Sequence, residues 1–217
     1  MEEVVDGGSG TDRSAVLAPG VQRYYAEWAD ALAERYEELT FESVHAEILH
    51  LLPIPPARAV DIGAGTGRDA AALARLGHQV VAVEPVREMR QAAARLHPEP
   101  ITWVADALPA LAGLTGEFDL ILLSAVWMHL DAGERTEAMS RLSGLLADGG
   151  RLAVTLRHGS PPQDRRMFDV PAAETVRQAE KQGLRLLLRG GGEDRLGRDG
   201  VSWSHLVFEK IEGAHGD

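Results

Sequence analysis

Three glycines, Gly63, Gly65 and Gly67, alternate through the stretch AVDIGAGTGRDAAAL, which runs from Ala59 to Leu73. An apolar run precedes them and an alanine-rich run follows, so the glycines fall in a predicted strand-to-helix turn. The N-terminus of a helix presents free N–H groups and a partial positive charge. Because glycine has no side chain, a ligand can lie directly against this backbone, and we expect one to do so here.

Two acidic residues stand at the ends of the next two apolar runs. Glu84 closes VVAVE and is followed by Pro85, while Asp106 follows ITWVA and is followed by Ala107. An ionised carboxylate only accepts hydrogen bonds, so Glu84 and Asp106 suit a ligand that offers hydrogen-bond donors. Ligands of α/β sheets bind at the carboxyl ends of the strands, and we expect both acids to lie there.

The apolar pattern predicts helices first and then strands alternating with helices. Helical spacing covers Tyr25 to Tyr36 and Val44 to Leu52, and the prolines of PIPP end the second helix. The predicted strands are RAVDI, HQVVAVE, ITWVA, FDLILLSA, RLAVTLR, LRLLLR and VSWSHLVFEK. The helices between them are RDAAALARL, VREMRQAAARL, residues 132–146 and PAAETVRQAEKQ.

This alternation predicts an α/β fold with a doubly wound, mostly parallel seven-stranded sheet and an N-terminal helical cap. FDLILLSA is the most apolar strand and is expected at the centre of the sheet. The last two strands are separated by a Gly-rich loop at 190–200 that has no room for a helix, so they should pair antiparallel. One antiparallel strand near the C-terminus is therefore expected.

The length of 217 residues suits one domain. We expect that domain to span residues 19–210, divided into a cap at 19–55 and a core at 56–210. The acidic, Gly- and Ser-containing segment 1–18 is predicted to be a disordered leader, and 211–217 a tail.

Charge and cysteine content disfavour several classes of function. A net charge of −11 without a dense Lys/Arg cluster is unfavourable for binding nucleic acid. No apolar run approaches the roughly 18 residues of a membrane span. The absence of cysteine fits a cytoplasmic protein and removes thiolate metal sites and cysteine nucleophiles, and no metal site is predicted.

The glycine spacing separates two kinds of nucleotide-binding turn. A dinucleotide fold carries G-x-G-x-x-G, but Arg68 stands at the third glycine position here, which disfavours a dehydrogenase. VDIGAGTG instead resembles motif I of the class I S-adenosylmethionine-dependent methyltransferases. FDLILLSAVWMHL resembles the fourth motif of that family and LLADGGRLAVTL its following loop and strand, so the resemblance covers residues 21–210.

The resemblance implies S-adenosylmethionine as the cofactor and a Rossmann-like core. It assigns Glu84 to the ribose hydroxyls and Asp106 to the adenine amino group. Asp61 orients the loop, takes the cofactor amine through water, or caps the N–H groups of the turn, and Met89 packs on adenine or in the core. The expected cofactor-binding residues are Asp61, Gly63, Ala64, Gly65, Glu84, Pro85, Met89, Asp106, Ala107 and Ser124.

Methyl transfer from a sulfonium is an in-line displacement, so the enzyme aligns the acceptor and, where needed, removes its proton. His129 and His158 are candidate catalytic bases, because the unperturbed pKa of histidine is ~6.5; alternatively, His129 packs on the core. The expected substrate contacts are Tyr36, His45, Trp127 and Arg157, and Arg195, Arg198 and Trp203 either join them or belong to a surface hairpin.

A small-molecule methyl acceptor, modified on O or N, is the first functional hypothesis. Arg157 would then pair with a substrate carboxylate or, alternatively, be a solvated strand end. A methyltransferase acting on a protein or peptide and a non-catalytic regulator that binds S-adenosylmethionine are the two other hypotheses. Monomer and homodimer both stay open.

We expect Glu84→Ala to weaken cofactor binding by about 1.5–3 kcal/mol, the range for lost hydrogen bonds to a charged group. Titration calorimetry with S-adenosylhomocysteine measures this loss. An affinity equal to that of the unmodified protein would exclude the ribose role of Glu84.

Overall fold

Strands and helices alternate along the chain as the apolar pattern predicts. The computed structural model describes residues 18–213, so nearly all of the predicted leader and the last residues of the predicted tail lie outside the described residues. The strands are β1 (Arg58–Ile62), β2 (Gln79–Val83), β3 (Ile101–Val104), β4 (Phe118–Leu123), β5 (Leu146–His158), β6 (Leu184–Glu193) and β7 (Ser202–Lys210). The helices are α1 (Pro19–Glu27), α2 (Ala29–Glu37), α3 (Phe41–Val44), α4 (Arg68–Arg75), α5 (Arg87–Leu96), α6 (Ala132–Leu145) and α7 (Ala172–Lys181), with 3₁₀ turns at Leu49–Leu51 and Trp127–His129.

The seven strands form one sheet in the order β3-β2-β1-β4-β5-β7-β6. β1 pairs in parallel with both β2 and β4, so the strand order reverses between β1 and β4. β7 runs antiparallel to both β5 and β6, which confirms the predicted reversed strand near the C-terminus. β4 is the central strand and is buried along almost its whole length, also as predicted. A ligand site is expected where the order reverses, at the carboxyl ends of these strands.

The N-terminal cap differs from its prediction. The single helix expected from Tyr25 to Tyr36 is divided at Trp28, whose backbone leaves the helical region and separates α1 from α2. The helix expected from Val44 to Leu52 shrinks to the four residues of α3 and a 3₁₀ turn. His45 ends α3 because its ring is fully buried and bonds to a carboxylate of another helix, so a tertiary contact overrides the helical spacing.

The glycines near the C-terminus form a strand instead of the loop expected at 190–200. β6 continues through Gly190, Gly191 and Gly192 and pairs with β7, which supplies the hydrogen bonds that stabilise this extended segment. A Cβ atom at Gly191 would lie 2.7 Å from the carbonyl oxygen of Trp203. The close approach of the two backbones therefore requires glycine there.

Two apolar layers cover the two faces of the sheet, as a doubly wound sheet requires. One layer includes Phe118, Trp127 and Phe208 and packs against α6 and α7. The other includes Phe41 and Leu73 and packs against α3 and α4. Between residues 18 and 213, no helix has the length and apolar character needed to cross a membrane.

Two glycines offer a matched test of backbone geometry. Gly67 has φ +84°, and a Cβ there would lie 3.1 Å from the Trp103 ring, so Gly67→Ala should destabilise the fold by about 1–3 kcal/mol. Gly144 lies in α6 with open space around it, so Gly144→Ala should stabilise by about 0.5–1 kcal/mol. Urea unfolding measures both changes, and equal effects of the same sign would contradict this account.

Candidate active site

A cavity of about 640 Å³ opens at the carboxyl ends of the parallel strands. All ten residues expected to bind the cofactor line this cavity: Asp61, Gly63, Ala64, Gly65, Glu84, Pro85, Met89, Asp106, Ala107 and Ser124. They follow β1, β2, β3 and β4, so the sheet order brings four separate stretches of sequence together. Tyr36, His129 and Arg157 line the same cavity.

The glycine turn is tied to the end of β2. The N–H groups of Gly63 and Ala64 both donate to the carbonyl of Val83, at 2.8 and 3.0 Å. The N–H of Gly65 donates to Glu84 Oε2 at 2.9 Å. These donors are therefore already bonded within the protein, and the turn offers its shape and its neighbouring carboxylates to a ligand, not the free N–H groups that the sequence suggested.

The glycines are required by backbone conformation and by packing. Gly63, Gly65 and Gly67 all have positive φ, between +55° and +84°, a region that other residues rarely adopt. A Cβ at Gly63 would lie 2.5 Å from a methyl carbon of Val126. The predicted reason, room for a ligand, applies best at Gly65, where a Cβ would meet only Met89 at an ordinary contact distance of 3.5 Å.

Asp61 carries an unpaired acceptor in the wall of the cavity. Its side chain is buried, and its Oδ2 has no hydrogen-bond partner among residues 18–213. Burial raises the pKa of Asp61 well above its usual value, and the nearby charge of Asp69 raises it further. A buried carboxylate oxygen without a donor is costly, so this position favours a ligand that brings a cationic or N–H group.

His45 holds the neighbouring acid and does not reach the cavity. Its Nε2 contacts Asp69 Oδ2 at 2.8 Å, and Arg68 Nε donates to the other oxygen of Asp69 at 2.7 Å. Burial alone would raise the pKa of Asp69, but the contacts with His45 and Arg68 hold this pKa well below its usual range. The predicted substrate role of His45 is therefore not supported, because the fully buried ring links α3 to α4 behind the cavity wall.

Glu84 and Asp106 are fixed by backbone N–H groups at the tips of β2 and β3. Glu84 Oε1 accepts from Val86 at 2.8 Å, in addition to the Oε2 bond to Gly65. The two oxygens of Asp106 accept from Ala107 and Gly113, each at 2.7 Å. Each oxygen keeps a second lone pair for a ligand donor.

The Glu84 carboxyl titrates near neutrality. Burial raises its pKa to about 7, although the two N–H bonds and the charge of Arg90 oppose the shift. Hydroxyl donors bind the ionised form more strongly than the protonated form, so a ligand with two hydroxyls would stabilise the carboxylate.

A histidine and a tyrosine meet at the mouth of the cavity. The carbonyl of Arg166 can only accept, and it lies 3.0 Å from His129 Nδ1, so that nitrogen carries the proton. His129 Nε2 is then free to accept from the Tyr25 hydroxyl, 3.1 Å away. Burial lowers the pKa of His129 to about 4 and raises that of Tyr25 well above its usual value, so both groups are uncharged at neutral pH.

Two further predicted residues lie outside the cavity wall. Trp127 is fully buried in the apolar layer next to α6, so it cannot contact a substrate as predicted. His158 bonds to Asp169 at 3.2 Å and to the Ser204 hydroxyl at 2.8 Å, so its predicted catalytic role lacks access to the cavity. Successive strand residues point to opposite faces, and it is therefore Arg157, not His158, that faces the cavity.

Several lining residues were missed or left open by the sequence. Thr155 lines the cavity two residues before Arg157, a period-two signal that could have identified it. Its hydroxyl accepts from the N–H of Ala125 at 2.7 Å and supports the positive φ of +60° there. Tyr25 and Arg165 carry no such signal, because the chain reaches the cavity at these positions only through tertiary packing.

The comparisons with known proteins agree with this fold. A family model described as a methyltransferase domain matches residues 60–154. An uncharacterized methyltransferase of Mycobacterium tuberculosis is 30% identical over 106 residues, which are 48% of this chain and 41% of that protein. The chain thus spans less than half the length of this curated relative.

Two solved structures show the same architecture. The Burkholderia thailandensis 1,6-didemethyltoxoflavin-N1-methyltransferase, with bound 1,6-didemethyltoxoflavin and S-adenosylhomocysteine, is 19% identical with a TM-score of 0.67, over 94% of this chain and 99% of that one. The magnesium protoporphyrin IX methyltransferase of Synechocystis is 17% identical with a TM-score of 0.59, over 95% of this chain and 86% of that one. The methyltransferase-domain match over residues 60–154, the order of the strands and the positions of the glycine turn and the two strand-end acids agree with the resemblance of this chain to the class I S-adenosylmethionine-dependent methyltransferases.

Proposed function

We propose that this protein transfers a methyl group from S-adenosylmethionine to an oxygen or nitrogen atom of a small molecule. The single observation that carries the proposal is one continuous cavity that joins the glycine turn, Glu84 and Asp106 to an uncharged tyrosine–histidine pair. The glycine turn, Glu84 and Asp106 suit a nucleoside, and the tyrosine–histidine pair suits an acceptor that must lose a proton.

The residues at the glycine turn fit the methionine and nucleoside parts of the cofactor. The unpaired Oδ2 of Asp61 suits the ammonium group, whose bond would satisfy a buried acceptor. Glu84 would accept the ribose hydroxyls, and Asp106 the adenine amino group, through the lone pairs that their backbone bonds leave free. When bound, S-adenosylmethionine supplies an electrophilic methyl group and a neutral thioether as leaving group.

The chain itself would orient the acceptor and receive its proton. Tyr25 donates to His129 Nε2, so the phenol oxygen keeps lone pairs that can accept from an acceptor O–H or N–H. His129 is held in one tautomer by Arg166, whose guanidinium also donates to the His129 carbonyl. This fixed pair would align the accepting atom, which is the main contribution that an enzyme makes to a displacement reaction.

The nature of the two solved neighbours supports a small acceptor. These two methyltransferases are named for 1,6-didemethyltoxoflavin and magnesium protoporphyrin IX, both small molecules. The net charge of −11 also disfavours nucleic acid as the substrate.

The proposed function is tested with labelled S-adenosylmethionine. Calorimetry first measures the binding of S-adenosylmethionine and S-adenosylhomocysteine, and the protein is then incubated with labelled cofactor and separate metabolite and protein fractions of a bacterial extract. We expect label in small molecules. Label only in polypeptides would favour the protein-methylating alternative, binding without any transfer would favour a regulator, and absence of binding would refute the proposal.

Tyr25→Phe should lower kcat about a hundredfold, the low end of the range for groups that assist proton transfer, without changing affinity for S-adenosylhomocysteine. The base form of His129 is the neutral one, and it is lost only as pH falls through its pKa of about 4. Protonation of His129 should therefore not lower the rate near pH 6.5. Tyr24→Phe is the matched control, and equal rates for the two variants would exclude Tyr25 from the reaction.

A further inference from the structure

The side of the cavity beneath β5 and β7 carries positively charged groups. Arg157, Arg165 and Arg198 line it, together with the ring of Trp203. The acids Asp61, Glu84 and Asp106 belong to the other side, at the tips of β1 to β3. The cavity therefore contains a group of arginines, although the chain as a whole is strongly acidic and Glu47, Glu193 and Asp194 also line the cavity.

Arg157 has no acidic partner. Its Nη1 donates only to the carbonyls of Gly159 and Ser160, and no carboxylate lies within 4 Å in the described part of the chain. Burial lowers its pKa, and the charges of Arg198 and Arg165 lower it further, although Asp194 and Asp169 oppose them. The charges of Arg198 and Arg165 therefore repel that of Arg157.

Arg165 is buried with an unused donor. Its side chain is only 15% exposed, and its Nε has no acceptor within the residues that the structure covers. The guanidinium lies 4.1 Å from the centroid of the Tyr24 ring, which fixes its plane. Its one ion pair among residues 18–213, at 3.3 Å, is with Asp164, whose side chain is 53% exposed, so water screens that contact.

Asp194 pairs with Arg198, and because both of its oxygens are occupied, it makes no hydrogen bond to Arg157 or Arg165 in the described part of the chain. The two oxygens accept three bonds from Arg198 and one from the indole N–H of Trp203. Glu47 and Glu193 also line the cavity, but Glu47 lies near His205, at 3.7 Å, and Glu193 is exposed. The donors of Arg157 and Arg165 therefore remain available to an anionic ligand.

We propose that the methyl acceptor carries an oxyanion, a carboxylate or a phosphate monoester, which Arg157 and Arg165 bind. This inference rests on the proposed function, because it names the class of acceptor for the same cavity. Guanidinium groups present planar arrays of donors that match carboxylate and phosphate oxygens, and the unused Nε of Arg165 is one such donor. The hydroxyl of Tyr25, which donates to the neutral His129, then remains free to contact the accepting atom.

The test uses matched probes on protein saturated with S-adenosylhomocysteine. 4-Hydroxybenzoate is compared with 4-hydroxybenzamide, and phenyl phosphate with phenol, by saturation-transfer NMR and thermal melting. We expect at least one anion to bind about tenfold more tightly than its neutral partner. Preference for the acid would indicate a carboxylate acceptor, and preference for the phosphate ester a phosphorylated one.

Arg157→Gln and Arg165→Gln should each remove most of this preference and leave affinity for S-adenosylhomocysteine within about twofold. Arg177→Gln is the control for the loss of one charge, because Arg177 is exposed on α7 and does not line the cavity.

Three results would overturn the inference. The first is that the unmodified protein shows no preference for either anion. The second is that both Arg157→Gln and Arg165→Gln retain the preference. The third is that these variants lose affinity for S-adenosylhomocysteine, which would assign the arginines to the cofactor carboxylate. Failure of the unmodified protein to bind S-adenosylhomocysteine would instead refute the proposed function itself.

Discussion

Three hydrogen bonds tie the turn after β1 to the end of β2, and the arrangement of the site depends on them. Two run from Gly63 and Ala64 to the carbonyl of Val83, and one runs from Gly65 to the carboxylate of Glu84. They hold the turn in left-handed backbone conformations that favour glycine, and they aim Glu84 across the cavity. Without these hydrogen bonds, Glu84 and the glycine turn would not be held next to each other.

Two polar contacts connect the cap to the core, in addition to the apolar packing of Phe41 and Ile48. His45 of the α3 end bonds to Asp69 of α4, and Tyr25 of α1 bonds to His129 after β4. Both contacts join residues that are distant in sequence. Each contact can therefore form only when the cap packs against the sheet. The consequence is that cap residues complete the site, and Tyr25 faces the same space as the strand-end acids.

Net charge describes the whole surface and not the cavity. The chain carries 33 acidic and 22 basic Lys and Arg residues, yet three arginines share one side of the cavity. Partial burial there reduces the screening of these charges by water, so nearby carboxylates or a ligand can offset them. A sum over the sequence cannot reveal such a local field.

The sequence by itself determined the alternation of strands and helices, the central position of β4, the antiparallel pair at the end and the residues after β1 to β4 that line the cavity. These follow from local pattern, because apolar period and turn residues act over a few neighbouring positions. Only the tertiary structure decided that Arg157 faces the cavity while His158 faces away, that His45 and Trp127 are buried, and that Tyr25 and Arg165 meet the site. The physical reason is that the direction of a side chain and the approach of distant segments depend on packing across the sheet, which no local stretch of residues specifies.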